Sequence, residues 1–293
     1  MTNRPKSTSN MHGKVCLVTG ATSGIGEVTA AALAARGAQV IVIGRNEVKT
    51  EDTVKRIQSE TGSDSVDYLL ADFADLQQIH NLVSSFKSQY SRLDVLINNA
   101  GAYFNTRRQT AYGVEMTFLV NHLAPFLLTN LLLDAIKMSP AARVINVSSD
   151  AHQYGVMEFD NLEFKRGYFG MKAYARSKLA NILFTYELAR RLNGDKVTVN
   201  ALNPGHVATD IYRTNFSVIG PFLKWFMGFF ALTPEEGAET PIYLASSAEV
   251  ESVTGRYFYK REAVQSSPTS YDQNVAHQLW LVSERLTGHT PFA

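Results

Sequence analysis

Thr19-Gly20-Ala21-Thr22-Ser23-Gly24-Ile25-Gly26 is the stretch on which the reading of this chain turns. It follows an apolar run, Val15 to Val18, that reads as a buried strand. An alanine-rich helical pattern follows, from Ile25 to Arg36. Strand, glycine turn, helix is the setting in which such a motif holds a dinucleotide. Gly20, Gly24 and Gly26 remove side chains that would keep the backbone from a pyrophosphate. Ser23 and Ile25 stand at a helix N-terminus, where unpaired N–H groups and a partial positive charge meet the phosphates. A tight turn with no ligand is the competing reading.

Working outward, apolar strand-like runs alternate with longer helical patterns. The strands read as Val15–Thr19, Val40–Gly44, Val66–Ala71, Val95–Asn98, Arg143–Ser148, Val197–Asn203 and Arg256–Tyr259. Helical stretches lie near Ile25–Arg36, Glu47–Thr61, Leu76–Tyr90, Gly113–Lys137, Tyr174–Leu192 and Pro234–Ser246, with a further one expected in Ser270–Leu286. Continuous apolar strands are expected when both sheet faces are covered. The alternation predicts an α/β fold, a Rossmann-type doubly wound parallel sheet of about seven strands with helices on both faces. No linker or repeat divides the chain. The expectation is a disordered tail at residues 1–13 and a single domain at 14–293.

The 293 residues are 19% charged with a formal net charge of +1. That balance argues against a nucleic-acid surface. The single cysteine, Cys16, lies in the first strand and reads as a small core residue. No metal-ligand cluster is evident. No apolar h-region lies between the polar start and the first strand, so no secretory signal is expected and a cytoplasmic location is. The one candidate membrane segment, Val218 to Leu232, is about fifteen residues, short of the ~20 a span needs, and contains Pro221 and Lys224.

The other strand ends should face the same crevice. In dinucleotide folds a carboxylate at the end of the second strand binds the adenosine ribose hydroxyls and favours NAD. Gly44 stands there, followed by Arg45, whose forked donors suit a 2′-phosphate. NADP(H) is therefore expected over NAD(H). Asp72 could accept from the adenine amino group and Phe73 could wall the ring. Asn98 can bond across strand ends, while Ala100 and Gly101 allow close approach. Ordinary turn chemistry is the alternative for each.

Tyr174 and Lys178 are four apart at the start of a helical pattern and share one face. A free tyrosine has a pKa near 10. A neighbouring ammonium favours the phenolate and would make Tyr174 a usable base. Ser148-Ser149 closes the fifth strand, where a hydroxyl could hold a substrate oxygen. Asn121, inside an apolar helical stretch, needs a partner.

Together these motifs resemble the short-chain dehydrogenase/reductase family. Thr19-Gly20-x-x-x-Gly24-x-Gly26, Asn98-Asn99-Ala100-Gly101, Asn121, Ser149, Tyr174-x-x-x-Lys178 and Asn203-Pro204-Gly205 occur in family order, over nearly all of the chain from Lys14 to about Tyr259. Val147-Ser148-Ser149-x-Ala151-His152, the wide gap to Tyr174, and Ser177-Lys178-Leu179-Ala180-Asn181 are similar to retinol dehydrogenases. The resemblance implies Tyr174 as acid or base and Lys178 as the group that lowers its pKa and binds the nicotinamide ribose. It implies Ser149, rather than Ser148, as the residue that polarises the carbonyl, and Asn121 as the anchor of a relay water. Pro204, Gly205, Val207 and Thr209 would contact the nicotinamide end. One departure is Ser23, where many NADP-using relatives carry a basic residue, so the NADP preference rests on Arg45.

After Thr209 come Phe216, Phe222, Trp225, Phe226, Phe229 and Phe230. In the family this region, about residues 206–232, is a lid over the substrate. Its apolar character suggests a lipophilic aldehyde, ketone or alcohol. Packing, a homo-oligomer interface or peripheral membrane contact are the other readings. A non-catalytic dinucleotide-binding regulator on the same fold is the alternative function. An epimerase or dehydratase of nucleotide sugars is disfavoured by the glycine spacing and the short C-terminal part.

Overall fold

The structure is a computed structural model describing residues 10–205 and 232–292. In chain order its main elements are β1 (Val15–Thr19), α1 (Gly24–Ala34), β2 (Gln39–Gly44), α2 (Glu47–Thr61), β3 (Val66–Leu70), α3 (Leu76–Gln89) and β4 (Val95–Asn98). There follow α4 (Ala124–Leu131), α5 (Leu133–Lys137), β5 (Ala142–Val147), α6 (Gly170–Arg191), β6 (Val197–Asn203), α7 (Pro234–Ser246), β7 (Arg256–Tyr259), β8 (Glu262–Val264) and α8 (Gln273–Thr287). The strands form one sheet in the order β3-β2-β1-β4-β5-β6-β7-β8. All neighbours are parallel except the β7–β8 hairpin.

The apolar runs explain this layout. Cys16, Leu17, Val18, Val40, Ile41, Val42, Leu96 and Ile97 are all fully buried, because helices cover both faces of the central strands. Leu17, Ile41 and Leu96 belong to one core cluster, with α3, α4 and α6. Cys16, Val18, Val40, Val42 and Ile97 belong to a second, with residues of α1, α2 and α7. The order of strands reverses between β1 and β4, and a crevice at the C-terminal strand ends follows from that topology.

Three expectations need correction. The sheet has eight strands where about seven were expected. β8 was invisible because its three residues are exposed and its turn is Lys260 (φ 49°) and Arg261 (φ 67°), without the glycine or asparagine such a turn usually has. Second, Met11 is buried and its N–H donates to the Arg36 carbonyl at 2.9 Å, so residues 10–13 pack against the body; residues 1–9 lie outside the described residues. Third, the single helix expected over Gly113–Lys137 is a turn at Met116–Phe118, a π-helical turn at Leu119–Leu123, then α4 and α5. The Phe73 ring packs in the core with Leu76 and Ile79.

The opposite end of the sheet is held by Asp94. Its side chain is fully buried and accepts from the Val15 N–H (2.8 Å), the Ser139 hydroxyl (2.7 Å), Arg92 Nε (3.1 Å) and Lys14 Nζ (3.4 Å). Burial alone would raise its pKa, but the Val15 and Ser139 bonds and the two cations outweigh it and hold it low. Asp94→Ala should cost about 3 kcal/mol, because a buried amide and hydroxyl lose a charged acceptor. Urea unfolding at neutral pH measures this; a cost near zero would contradict it.

Candidate active site

Three strand ends build the first half of the crevice. Gly20 and Gly24 have φ of 63° and 58°, so the turn after β1 needs glycine at both places. A Cβ on Gly20 would sit 2.8 Å from Ala100 Cα, and one on Gly26 2.5 Å from Asn99 Nδ2 and the Gly20 carbonyl oxygen. These two glycines therefore serve backbone packing between the β1 and β4 turns. Asn99 seals that contact by donating from Nδ2 to the Thr19 and Gly20 carbonyls (2.9 and 3.2 Å). Thr19 Oγ1 accepts from the Asn99 and Ala100 N–H groups, both at 3.0 Å. Ser23 is extended and its side chain makes no cap, which leaves the first-turn N–H groups of α1 available to an anion. Ile25 is buried beside Ala238 of α7 and anchors that turn.

At the end of β2, a Cβ on Gly44 would collide with Thr50 Oγ1 and come 2.6 Å from Thr22 Cγ2. An acidic side chain has no room at this position. Arg45 is exposed and makes no ion pair among the described residues. Asp72 is half-buried at the end of β3, where Oδ1 accepts from the Ala74 N–H at 3.0 Å. Asn98 is buried, and its Nδ2 donates to Thr129 Oγ1 (2.9 Å) and Asn146 Oδ1 (2.8 Å), tying β4 to α4 and β5. Pro204 and Gly205 (φ 84°) close β6 at the same edge, where the Gly205 N–H donates to Asn203 Oδ1 at 2.9 Å. Val207, Thr209 and the aromatic stretch lie outside the described residues.

The second half comes from α6 and the end of β5. Lys178 Nζ lies 5.4 Å from the Tyr174 ring centroid, as the one-turn spacing requires. The ammonium is buried and donates to the Val147 carbonyl at 3.1 Å. Burial lowers its pKa to about 8. Tyr174 is 7% exposed and packs edge-on to Tyr103, ring centroids 5.9 Å apart. The two serines differ. Ser148 is buried and its hydroxyl donates to the Lys178 carbonyl at 2.7 Å. Ser149 is half-buried and its oxygen accepts the Ala151 N–H at 3.2 Å, leaving the hydroxyl proton to donate elsewhere.

Asn121 is fully buried on the π-helical turn. Its Oδ1 accepts from the Ala102 N–H (2.7 Å), and its Nδ2 donates to the Ala102 carbonyl (3.0 Å) and Ser177 Oγ (2.9 Å). A Cβ on Gly101 would be 3.6 Å from both Asn121 Oδ1 and Lys178 Nζ, so the two converge beside that glycine. Glu115 sets the turn: its buried carboxylate accepts from the N–H groups of Thr117 (2.8 Å) and Phe118 (2.9 Å).

A family model described as short chain dehydrogenase matches residues 14–218, which spans both halves of this crevice. The chain belongs to the short-chain dehydrogenase family. It is 43% identical to human retinol dehydrogenase 14 over 293 residues, covering 95% of this chain and 87% of that protein. A crystal structure of an uncharacterized protein from Mycobacterium paratuberculosis matches with a TM-score of 0.78 and 31% identity, over 96% of this chain and 95% of that one. The Pseudomonas aeruginosa RhlG/NADP active-site complex matches with a TM-score of 0.69 and 26% identity, over 85% and 95%.

In this short-chain dehydrogenase, sequence reading missed the residues that hold the motif residues in place. Asn99 and Thr19 lock the glycine turn, and Glu115 caps the turn bearing Asn121. Glutamate is not among the residues preferred at a helix start, so the cap by Glu115 had no local sequence signal. Among the described residues no His, Cys, Asp and Glu group could hold a metal, and no helix is long and apolar enough to cross a membrane.

Proposed function

We propose that this enzyme transfers a hydride between NADP(H) and a lipophilic alcohol or carbonyl compound, with Tyr174 as proton donor and acceptor. The observation that carries the reading is the buried Lys178 ammonium 5.4 Å from the Tyr174 ring, at the crevice end of the sheet. The nicotinamide supplies the hydride when bound. In the reducing direction, Tyr174 gives its hydroxyl proton to the substrate oxygen, and the nearby ammonium favours the phenolate left behind. The Ser149 hydroxyl donates to the same oxygen and holds it. Asn121, converging with Lys178 beside Gly101, anchors the inner end of a proton path.

Two features at the end of β2 support the preference for NADP(H). Gly44 has no room for the carboxylate that would select a ribose hydroxyl, and Arg45 is available to a 2′-phosphate. The substrate class is supported by the aromatic residues at 216–230 and by the similarity to a retinol dehydrogenase.

The test follows NADPH and NADH oxidation against a panel of apolar aldehydes and ketones that includes retinaldehyde. Turnover with NADPH ahead of NADH is expected. Cofactor binding with no turnover across the panel would instead favour the regulatory reading. Arg45→Ala should lower the NADPH to NADH ratio of kcat/KM by about tenfold or more, the loss of one charge-assisted phosphate contact. An unchanged ratio would remove Arg45 from cofactor selection.

A further inference from the structure

One buried histidine has no part in the proposed reaction and sits directly behind Ser149. His152 belongs to the turn Asp150–Tyr154, which Ser149 caps, and its ring is fully buried. Its Nδ1 lies 2.7 Å from the Ser149 carbonyl oxygen. Its Nε2 lies 3.0 Å from the Ser267 backbone nitrogen. A carbonyl only accepts and an amide N–H only donates. The proton therefore sits on Nδ1 and the lone pair on Nε2, and neither partner titrates. The Tyr257 ring from β7 meets the imidazole edge-on with centroids 4.9 Å apart and fixes its plane.

The far end of this contact is anchored as well. Ser266 Oγ is 2.8 Å from Tyr186 OH on α6, and the Ser266 N–H donates to Tyr271 OH at 3.1 Å. Tyr186 and Tyr271 stack at 5.3 Å. The Ser149 backbone is thus bonded through one imidazole to a block fastened to the helix that carries Tyr174 and Lys178. Burial lowers the imidazole pKa and outweighs the Ser149 carbonyl bond and the Asp150 charge on the same turn, both of which favour an imidazolium; Tyr257 faces the ring from β7. A second proton would have to enter at Nε2 and would break the Ser267 bond.

We propose that His152 is a positioning residue for Ser149: a neutral imidazole clamp between the Ser149 carbonyl and the Ser267 amide that fixes where the serine hydroxyl points. This rests on the reading above, in which Ser149 holds the substrate oxygen.

Two measurements test it. In protein carrying 15N-histidine, the imidazole correlation lost in His152→Phe should show Nδ1 protonated and Nε2 bare at pH 7. An Nε2-protonated signature would overturn the clamp whatever the reaction. The second is a cycle of Ser149→Ala, His152→Phe and the double variant, using the best carbonyl substrate of the panel. His152→Phe keeps a ring against Tyr257 and removes both bonds. It should lower kcat about 10- to 100-fold, the scale of a small misplacement of a reacting group, with NADPH affinity unchanged. The same change in the Ser149→Ala background should cost less than about threefold. His152→Gln, which keeps a donor and an acceptor, should recover part of kcat and serves if the phenylalanine variant does not fold. An equal loss in both backgrounds would make His152 merely structural and overturn the proposal alone. Full activity of Ser149→Ala would overturn the proposed reaction as well.

Discussion

Tyr174→Phe should reduce kcat by about 10³-fold or more while NADPH affinity stays within about threefold. The expected size is that of removing a positioned acid or base. The Tyr174 ring is 7% exposed and lies edge-on to Tyr103. Phenylalanine keeps that contact and the helix. What disappears is the proton that the substrate oxygen receives in reduction, or the base that takes it in oxidation. Bulk water is a poor substitute, because it is not oriented toward the substrate oxygen as a side chain is. Stopped-flow NADPH oxidation with a saturating aldehyde reads the chemical step, and quenching of protein fluorescence reads NADPH binding. Activity within tenfold of wild type would remove Tyr174 from the reaction. Loss of binding together with turnover would show instead that the phenol holds the cofactor.

Much of the fold was legible because its signals are local and redundant. Glu47–Thr61 has a cap at each end and Pro234–Ser246 a capping box at its start, and the structure returns those bounds. Asn46 accepts from the Lys49 N–H, and Gly62 closes the helix in the left-handed region. Val15–Thr19 and Val95–Asn98 are apolar on both faces up to their last residue, so their limits follow from where the apolar run stops. β8 has neither signal. It pairs with β7 over three residues through a turn whose two left-handed residues are lysine and arginine. Local sequence disfavours that conformation; the hairpin pairing and the Arg261 N–H bond to Thr240 Oγ1 at 3.2 Å hold it.

The site was legible in a different way. Spacing alone put Tyr174 beside Lys178, and the ends of strands put Ser149 and Gly44 at one edge. What spacing could not supply was the second layer. Asn121 was recognised as needing a partner, but the backbone of Ala102 and the hydroxyl of Ser177 are 19 and 56 residues away. Asn98 was read as bonding across strand ends, and its Nδ2 does so to Asn146 on β5 and also reaches Thr129 on α4. Phe73 follows a strand end, yet its ring joins the core. In each case a long-range contact decides, and no window of sequence contains both partners. The same holds for His152 and Ser267, 115 residues apart.

Lys178→Met should make the protein more stable at neutral pH while abolishing turnover. The ammonium is buried with the Val147 carbonyl as its bonded partner at 3.1 Å, and burial lowers its pKa from 10.5 to about 8. That drop corresponds to about 3 kcal/mol of penalty on the charged form in the folded state. Below pH 8 both folded and unfolded chains hold the proton, so the wild type carries the full penalty. Between pH 8 and 10.5 the unfolded chain binds more protons than the folded one, and wild-type stability gains with rising pH. Above 10.5 both forms are neutral and the penalty is gone. Methionine has a similar length and no charge, so its advantage should be about 3 kcal/mol at pH 7 and should shrink to little by pH 10.5. Urea unfolding of both proteins without cofactor, at pH 7, 9 and 10.5, measures the difference directly. Equal stability at every pH would mean that the folded state compensates the ammonium as well as water does. A gap that widened with pH would reverse the sign and place the ammonium among the groups that hold the fold together. The expected pattern is that of a residue kept for chemistry at the cost of stability: the charge beside Tyr174 is useful because the surroundings do not solvate it.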